Sequence, residues 1–469
     1  MTKKSSGQLT DDSCSYSVEL NGWGLGTDIR RGVLPEINQI GRARNIEEAK
    51  RASNDTKNTR PTKKAEKPRS ELKRGWDDQD VIGIAIKTGV ILQIYHKQEL
   101  RNSPTYSSII YTQRKGHPWQ QFHRDISQDA LYSEDAPYMD DLLRDLATVE
   151  IVNASQFRGG TQLKLDLRLA DGNRVIAKPM RLSRDHVYKY TREEPFWLDP
   201  ERHNAEIASF HLDRLLGFRR VPPCSGRRVN LKKEILGKSE DTNLLSTVFK
   251  SGANLCVIGN CKPWFCNQDH PSCTKGDLME VAMCQFLPAY QGGIPVRDAA
   301  YPWSQGRKES KVWKGKNICL DILKDSIRLG GRVLLDLIEQ GIFDFFLRNY
   351  DRHHYSQLRK YQRKVGCVLH LDNGKGFGNP LVDDDTFLAP VYQCCKLRRS
   401  TYFRLKELAR PQSRLSNRLN ASMSHDPIAP VITEVHLQAM DRRLETVLRT
   451  IDKCIRNHGE SNVLVERLE

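Results

Sequence analysis

A chain of 469 residues, 38% hydrophobic and 28% charged, has room for one large or two ordinary globular domains. Its formal charge of +16 points to anionic partners such as nucleotide, acidic polypeptide, sulfated glycan or nucleic acid. No apolar run reaches the roughly twenty residues of a spanning helix, and no base-stacking aromatic pattern supports nucleic-acid binding, so both classes are set aside.

Residues 1–78 read as a disordered basic tail and linker, with twelve Lys or Arg against five acidic residues over 42–74. Apolar runs begin near 79, and 79–158 is expected to be an extension packed on the core. Within it, Val81–Ile94 is short and carries Lys87, which suits a buried strand or helix better than a membrane span. Pro118-Trp119 opens a segment with helical spacing at Leu131, Met139, Leu142, Leu143 and Leu146. After Gly159-Gly160-Thr161, Leu163, Leu165, Leu167 and Leu169 alternate with polar residues, which is strand periodicity. Asp171-Gly172-Asn173 turns the chain into a returning strand that ends near Lys178. A glycine-led hairpin lets backbone approach phosphates, and a lysine neutralises their charge. Pro200-Glu201 opens a helix with Ile207, Phe210, Leu212, Leu215 and Leu216 on its apolar face, ending at Gly217. Glu201, placed in the first turn, could offset the helix dipole or reach the hairpin lysine or a metal ion.

From about 277 the chain reads mainly as helices. Val333–Ile338 and Gly341–Leu347 form a stretch apolar enough to be buried nearly all round, and Val431–Ile455 closes the fold with an amphipathic helix. After the buried helix comes Arg348-Asn349-Tyr350-Asp351-Arg352-His353-His354-Tyr355. A short strand, Cys367–Leu371, then ends at Asp372-Asn373-Gly374. Asp351, on a loop, can accept a substrate hydroxyl proton, and Asp372, at a strand end, can hold divalent ions that bridge ATP phosphates. Both must stay ionised, which Arg352 and Lys375 favour. Singly, Asp351 reads as an Asp–Arg ion pair and Asp372 as a turn former. With the hairpin lysine and helix glutamate in kinase order, the phosphotransfer reading wins. His353 and His354 point to different sides of any regular element, so one is expected to hold the loop rather than share a metal.

Four of the twelve cysteines, Cys256, Cys261, Cys266 and Cys273, fall within eighteen residues without a tight Cys-x-x-Cys. That spacing favours disulfides over zinc. Adjacent Cys394 and Cys395 can each staple a different segment, with Cys319 and Cys454 available. Disulfides imply an oxidising compartment, and sequons at Asn54, Asn153 and Asn420 agree. The first thirty residues carry no signal-peptide-like apolar core, which leaves three readings: a different start, unusual targeting, or a compartment other than the one the cysteines imply.

At these residues the chain resembles the family with sequence similarity 20, atypical secretory-pathway kinases related to four-jointed. The resemblance covers about 117–465 and rests on Gly-Gly-Thr-Gln-Leu-Lys-Leu at 159–165, Glu-Arg-His-Asn-Ala-Glu at 201–206, Asp-Arg-His-His-Tyr at 351–355, His-Leu-Asp-Asn-Gly at 370–374 and Gln-Cys-Cys at 393–395. It implies an α+β, atypical two-lobed protein-kinase-like fold stapled by disulfides. A small β-rich N-lobe with a cysteine-rich insert would cover 159–283, a larger helical C-lobe 284–460, and a tail 461–469. It implies ATP and manganese as cofactors, with magnesium as the alternative. Gln162 and Lys178 would contact the phosphates, with Lys164 close by. Glu201 would bind the metal, Asp351 would be the base, and Asp372 the second metal ligand. Cys284, Gln285, Phe286 and Leu287 would line the adenine pocket as the hinge. The implied disulfides are Cys256–Cys273, Cys261–Cys266, Cys319–Cys394 and Cys395–Cys454. The family usually has Glu after Asp-Arg-His-His-Tyr, where it contacts the nucleotide. Here Ser356 stands at that nucleotide-site position, at the offset where ordinary kinases keep a metal-binding Asn. Glu201, which a pseudokinase branch replaces by Gln, argues for activity.

Pro118–His123, Arg220–Pro223, Gly376–Gly378 and Arg399–Tyr402 resemble the family's secreted serine-kinase branch. Gly378–Pro380 and His425–Ile428 resemble its xylosylkinase branch, and 431–465 the pseudokinase branch. The expected activity is transfer to serine in secreted acidic proteins of Ser-x-Glu type, with the proteoglycan-linkage xylose as alternative acceptor and a non-catalytic activator as third reading. Residence in the Golgi lumen or outside the cell, glycosylation at Asn153 and Asn420, and dimerisation with a family member are further expectations.

Overall fold

The computed structural model describes residues 116–466 except 192–194, 289–295, 307, 330 and 359–364. The expected tail, the Val81–Ile94 segment and the Asn54 sequon lie outside the described residues.

Two helices, α1 (Pro118–Asp125) and α2 (Met139–Thr148), lead into the sheet. Leu131 lies in the loop between them, so the expected helical spacing holds only from Met139. β1 (Ile151–Gln156), β2 (Leu165–Leu169) and β3 (Arg174–Pro179) then form an antiparallel meander. On β2, Leu165, Leu167 and Leu169 are buried while Asp166 and Arg168 face outward, as the alternation requires. The β2–β3 turn closes through Asn173 N donating to Asp171 Oδ1 at 3.0 Å, with Gly172 at φ 83°.

α3 runs from His203 to Leu216 and stops at Gly217, whose φ of 79° is the left-handed conformation glycine adopts without penalty. The helix starts later than the sequence pattern suggests. Arg202 is extended (φ −106°) and its guanidinium is paired with Asp199 at 2.7 Å, so Glu201 lies before the helix and Glu206 is the acid of its first turn. β4 (Cys224–Asn230) is followed by a small insert sheet of β5 (Val248–Ser251), β6 (Asn254–Val257) and β7 (Ser272–Cys273). β8 (Leu278–Gln285) returns to the main sheet, whose order is β1-β2-β3-β8-β4.

The C-terminal body is helical, as expected, but a third sheet of order β11-β10-β9 runs beside it. It consists of β9 (Val296–Ala300), β10 (His354–Leu358) and β11 (Val368–Leu369). Between β9 and β10 in the chain lie α4 (Cys319–Leu329) and α5 (Arg332–Leu347). Every residue of α5 is buried, including Asp336, Glu339 and Asp344. Burying carboxylates is tolerable only with partners. Arg220 and Arg398 pair with Asp336 and Glu339, and Arg352 with Asp344. The chain continues through α6 (Ala389–Cys394), α7 (Arg399–Leu408) and α8 (Leu415–Met423) to α9 (Glu434–His458). α9 buries Leu437, Met440, Leu444, Val447 and Ile451 along one face. From that face Arg443 donates to Phe346 O at 2.7 Å and Asn379 O at 3.0 Å, tying the end of α5 to the segment after Asp372. No described helix is long and apolar enough to cross a membrane.

Among the described residues, five disulfides staple these layers. Cys256–Cys273 and Cys261–Cys266 close the insert, and Cys319–Cys394 and Cys395–Cys454 join α4, α6 and α9. The fifth, Cys224–Cys284, was not expected. The two residues face each other across β4 and β8, a register that spacing alone does not reveal.

Candidate active site

Lys178 is placed by β3 and Lys164 immediately precedes β2, and both are buried. Buried ammoniums need anionic partners, and three carboxylates supply them. Glu206, from the first turn of α3, lies 2.5 Å from Lys178 Nζ. Glu201 lies 3.0 Å from Lys178 and 3.7 Å from Lys164. Asp372 lies 2.8 Å from Lys178 and 3.4 Å from Lys164. Among these five groups one negative charge is left over. Burial would raise the pKa of Asp372, but the two ammoniums hold it well below the ordinary carboxylate range. Asp372 also adopts φ 55°, a left-handed backbone unusual outside glycine, and such strain gathers at functional sites. Gly374 beside it lets Glu201 close in, because a Cβ there would fall 2.8 Å from Glu201 Cγ.

Asp351 sits on the loop that ends α5. Its N–H donates to Asn349 Oδ1 at 3.1 Å, its carboxylate meets Lys375 Nζ at 3.0 Å, and His353 Nδ1 donates to its carbonyl at 2.7 Å. His353 is therefore the loop-holding histidine, while His354 opens β10. Burial would raise the pKa of Asp351, but Lys375 and His353 lower it on balance. Burial acts on Lys375 in the opposite sense, and Asp351 raises its pKa on balance. Arg352 does not neutralise Asp351 as expected. It is buried on Asp344 and donates to Asn373 Oδ1 at 2.9 Å, which fixes the Asp351 loop against the Asp372 turn.

Gln162 accepts from Glu201 N at 2.9 Å through Oε1, while its Nε2 is buried with no partner among the described residues. An orphaned donor beside two lysines suits a phosphate oxygen. Among the described residues no cluster of three or more His, Cys, Asp or Glu is arranged to hold a metal alone. Glu201 and Asp372 instead match the usual form of a nucleotide-bound divalent ion, held by one or two carboxylates plus phosphates.

At the end of β8 the expected hinge is partly committed elsewhere. The Cys284 side chain is bonded to Cys224, and the Gln285 side chain exchanges hydrogen bonds of 2.9 Å with Asn173. Phe286 carries the Arg174 guanidinium 4.0 Å from its ring centre. Phe286 and Leu287, with main chain, remain as the surfaces a base could meet. Ser356 lies on β10, and its hydroxyl donates to Asp298 at 2.6 Å.

The structure thus brings Gln162, Lys164, Lys178, Glu201 and Asp372 into one cluster, with Asp351 at its edge through Lys375. Glu206 was missed as a site residue, although it closes the quoted 201–206 segment, because Glu201 was assigned the helix turn that Glu206 holds.

A small antiparallel sheet with a buried lysine held by a helix glutamate, above a helical body bearing two loop aspartates, defines a protein-kinase-like fold. A family model described as "Fam20C: Golgi casein kinase, C-terminal, Fam20" matches residues 117–463. The human glycosaminoglycan xylosylkinase is 39% identical over 352 residues, covering 74% of this chain and 83% of that protein. The human extracellular serine/threonine protein kinase FAM20C is 37% identical over 360 residues, covering 75% of this chain and 60% of that one. A crystal structure of the Golgi casein kinase with Mn/ADP bound superposes with a TM-score of 0.71 at 31% identity, covering 86% of this chain and 96% of that one. The chain belongs to the Fam20 family.

Proposed function

We propose that this chain is an ATP-dependent, manganese-assisted kinase, with a kinase N-lobe over 159–283 and a C-lobe over 284–460. The observation that carries it is the meeting of Glu201, Glu206 and Asp372 on Lys178. Lys178, with Lys164 and Gln162, holds the phosphates; Glu206 orients Lys178; Glu201 and Asp372 hold the cation. The cation, when bound, offsets negative charge on the bridging phosphate oxygens. Asp351 takes the proton from the acceptor hydroxyl as its oxygen bonds to the γ-phosphorus and the bond to the β-phosphate oxygen breaks, releasing ADP. Lys375 keeps Asp351 ionised beforehand.

Serine of secreted acidic proteins is the acceptor that the motifs at 118–123 and 399–402 favour. Xylose of the proteoglycan linkage is the second reading, favoured because this chain covers more of the xylosylkinase than of FAM20C. Five disulfides and exposed sequon residues Asn153 and Asn420 support residence in the Golgi lumen or outside the cell, with both asparagines as glycosylation sites. Pairing with another family member is part of the same proposal.

Labelled ATP and Mn²⁺ offered with casein and, separately, with a galactosyl-xylose acceptor test both readings. Wild type is expected to label casein, and Asp372→Ala to label nothing. Labelling of the disaccharide alone selects the sugar kinase, and labelling of neither overturns the enzyme reading.

A further inference from the structure

Asp298 is an exposed carboxylate on the strand paired with the one that leaves the Asp351 loop, outside the cluster around Lys178. β10 leaves that loop and runs antiparallel between β9 and β11, with Ser356 directly opposite Asp298 on one side and Leu369 on the other. Directly opposed residues of a sheet project from the same face. The other face, bearing Tyr355, Gln357 and Val368, is buried, and Val368 N there donates to Asp336 of α5 at 3.0 Å. Asp298 and Ser356 project from the opposite face, on which Leu369 is buried and Asp298 is exposed. Asp298 is exposed, accepts the Ser356 hydroxyl at 2.6 Å, and enters no ion pair among the described residues. Both ends of the site are close along the chain: β9 is the strand that follows the hinge residues, and Leu369 precedes Asp372 by three positions.

In protein kinases the fifth residue after the base supplies an oxygen to a second divalent ion. Ser356 stands at that offset from Asp351 and brings only a neutral hydroxyl, whereas hard divalent ions select carboxylates. The geometry points to Asp298 as the carboxylate that completes the cation–triphosphate site from the neighbouring strand, with Ser356 positioning it. The acidic group is shifted across one rung of the β-ladder, and its carboxylate lies 2.6 Å from the Ser356 hydroxyl. This assignment rests on the kinase reading of the same site.

Mn²⁺ binding to the full chain with ADP present, followed by loss of the free-ion paramagnetic resonance signal, tests it without any turnover. Asp298→Asn keeps shape and exposure, and is expected to raise half-saturating Mn²⁺ about tenfold, the scale for loss of a group that supports a metal. Asp298→Asn combined with Ser356→Glu is expected to restore it. Wild-type binding that Asp298→Asn leaves unchanged, or that Ser356→Glu does not rescue, overturns the assignment and leaves the kinase reading standing. A wild type that takes up no Mn²⁺ with ADP overturns both.

Discussion

Asp351 can accept a proton only while ionised, and its ionisation depends on Lys375. Burial pushes its pKa up, and Lys375, then His353, bring it below the ordinary value. Replacing Lys375 by Met removes the larger lowering influence, so the pKa rises and a larger share of Asp351 is protonated at mildly acidic pH. The acid limb of kcat/KM is therefore expected to move to higher pH in Lys375→Met, with the alkaline limb less affected. A limb that stays in place would show that Asp351 is not the base. At this scale the two aspartates and the hairpin lysine were legible, because loop position, strand end and order along the chain all lie in the sequence. Glu201 was also legible as a partner of Lys178, but Glu206, the acid nearest its ammonium, was not. Pro200-Glu201 has the composition of a helix start, yet Arg202 N donates to Gly374 O at 2.7 Å and its side chain pairs with Asp199. That long-range tie holds 199–202 extended and hands the first turn to Glu206.

At the scale of elements, α5 was the easiest to read, since its apolar run left no other face to expose. What could not be read is how tightly it is approached. A Cβ on Gly341 would fall 2.5 Å from Pro390 Cγ and 3.1 Å from the Phe387 carbonyl. Alanine in a helix interior normally gains about 1 kcal/mol over glycine. Here the methyl would meet a rigid ring and a backbone oxygen, and overpacking of that kind costs about 1–3 kcal/mol. Gly341→Ala is therefore expected to lower the urea midpoint despite its better propensity. Gly315→Ala, at the last residue of the short Glu309–Gly315 helix, whose methyl would meet nothing within 4 Å, should leave the midpoint nearly unchanged or slightly higher. Equal effects at the two positions would show that propensity, not the packing of α5 on α6, decides. Of the β9–β10–β11 sheet only β11 was legible, inside the expected Cys367–Leu371 strand; β9 and β10 are five residues each and separated in the chain by α4 and α5, so no local alternation announces them.

Across the whole molecule the four disulfides that the resemblance implied are present, but their unequal importance depends on the loops they close. Cys395–Cys454 spans 59 residues and, with Cys319–Cys394 beside it, joins α4, α6 and α9. Cys261–Cys266 spans 5 residues within the insert. If a cross-link acts mainly by restricting the unfolded chain, its contribution grows with the logarithm of the loop. The long bridge is then worth about 4 kcal/mol and the short one about 2. Replacing Cys395 and Cys454 together by Ser should thus cost about twice the unfolding free energy of the Cys261→Ser/Cys266→Ser pair, read from guanidinium denaturation. The insert sheet is also bridged by Cys256–Cys273, so the short-loop variant keeps one staple and its loss stays local. An equal or larger loss in the short-loop variant would mean that the bridges act through native packing around the insert. In that event the cysteine-rich sheet, rather than the stapled helices, would limit the stability of the protein.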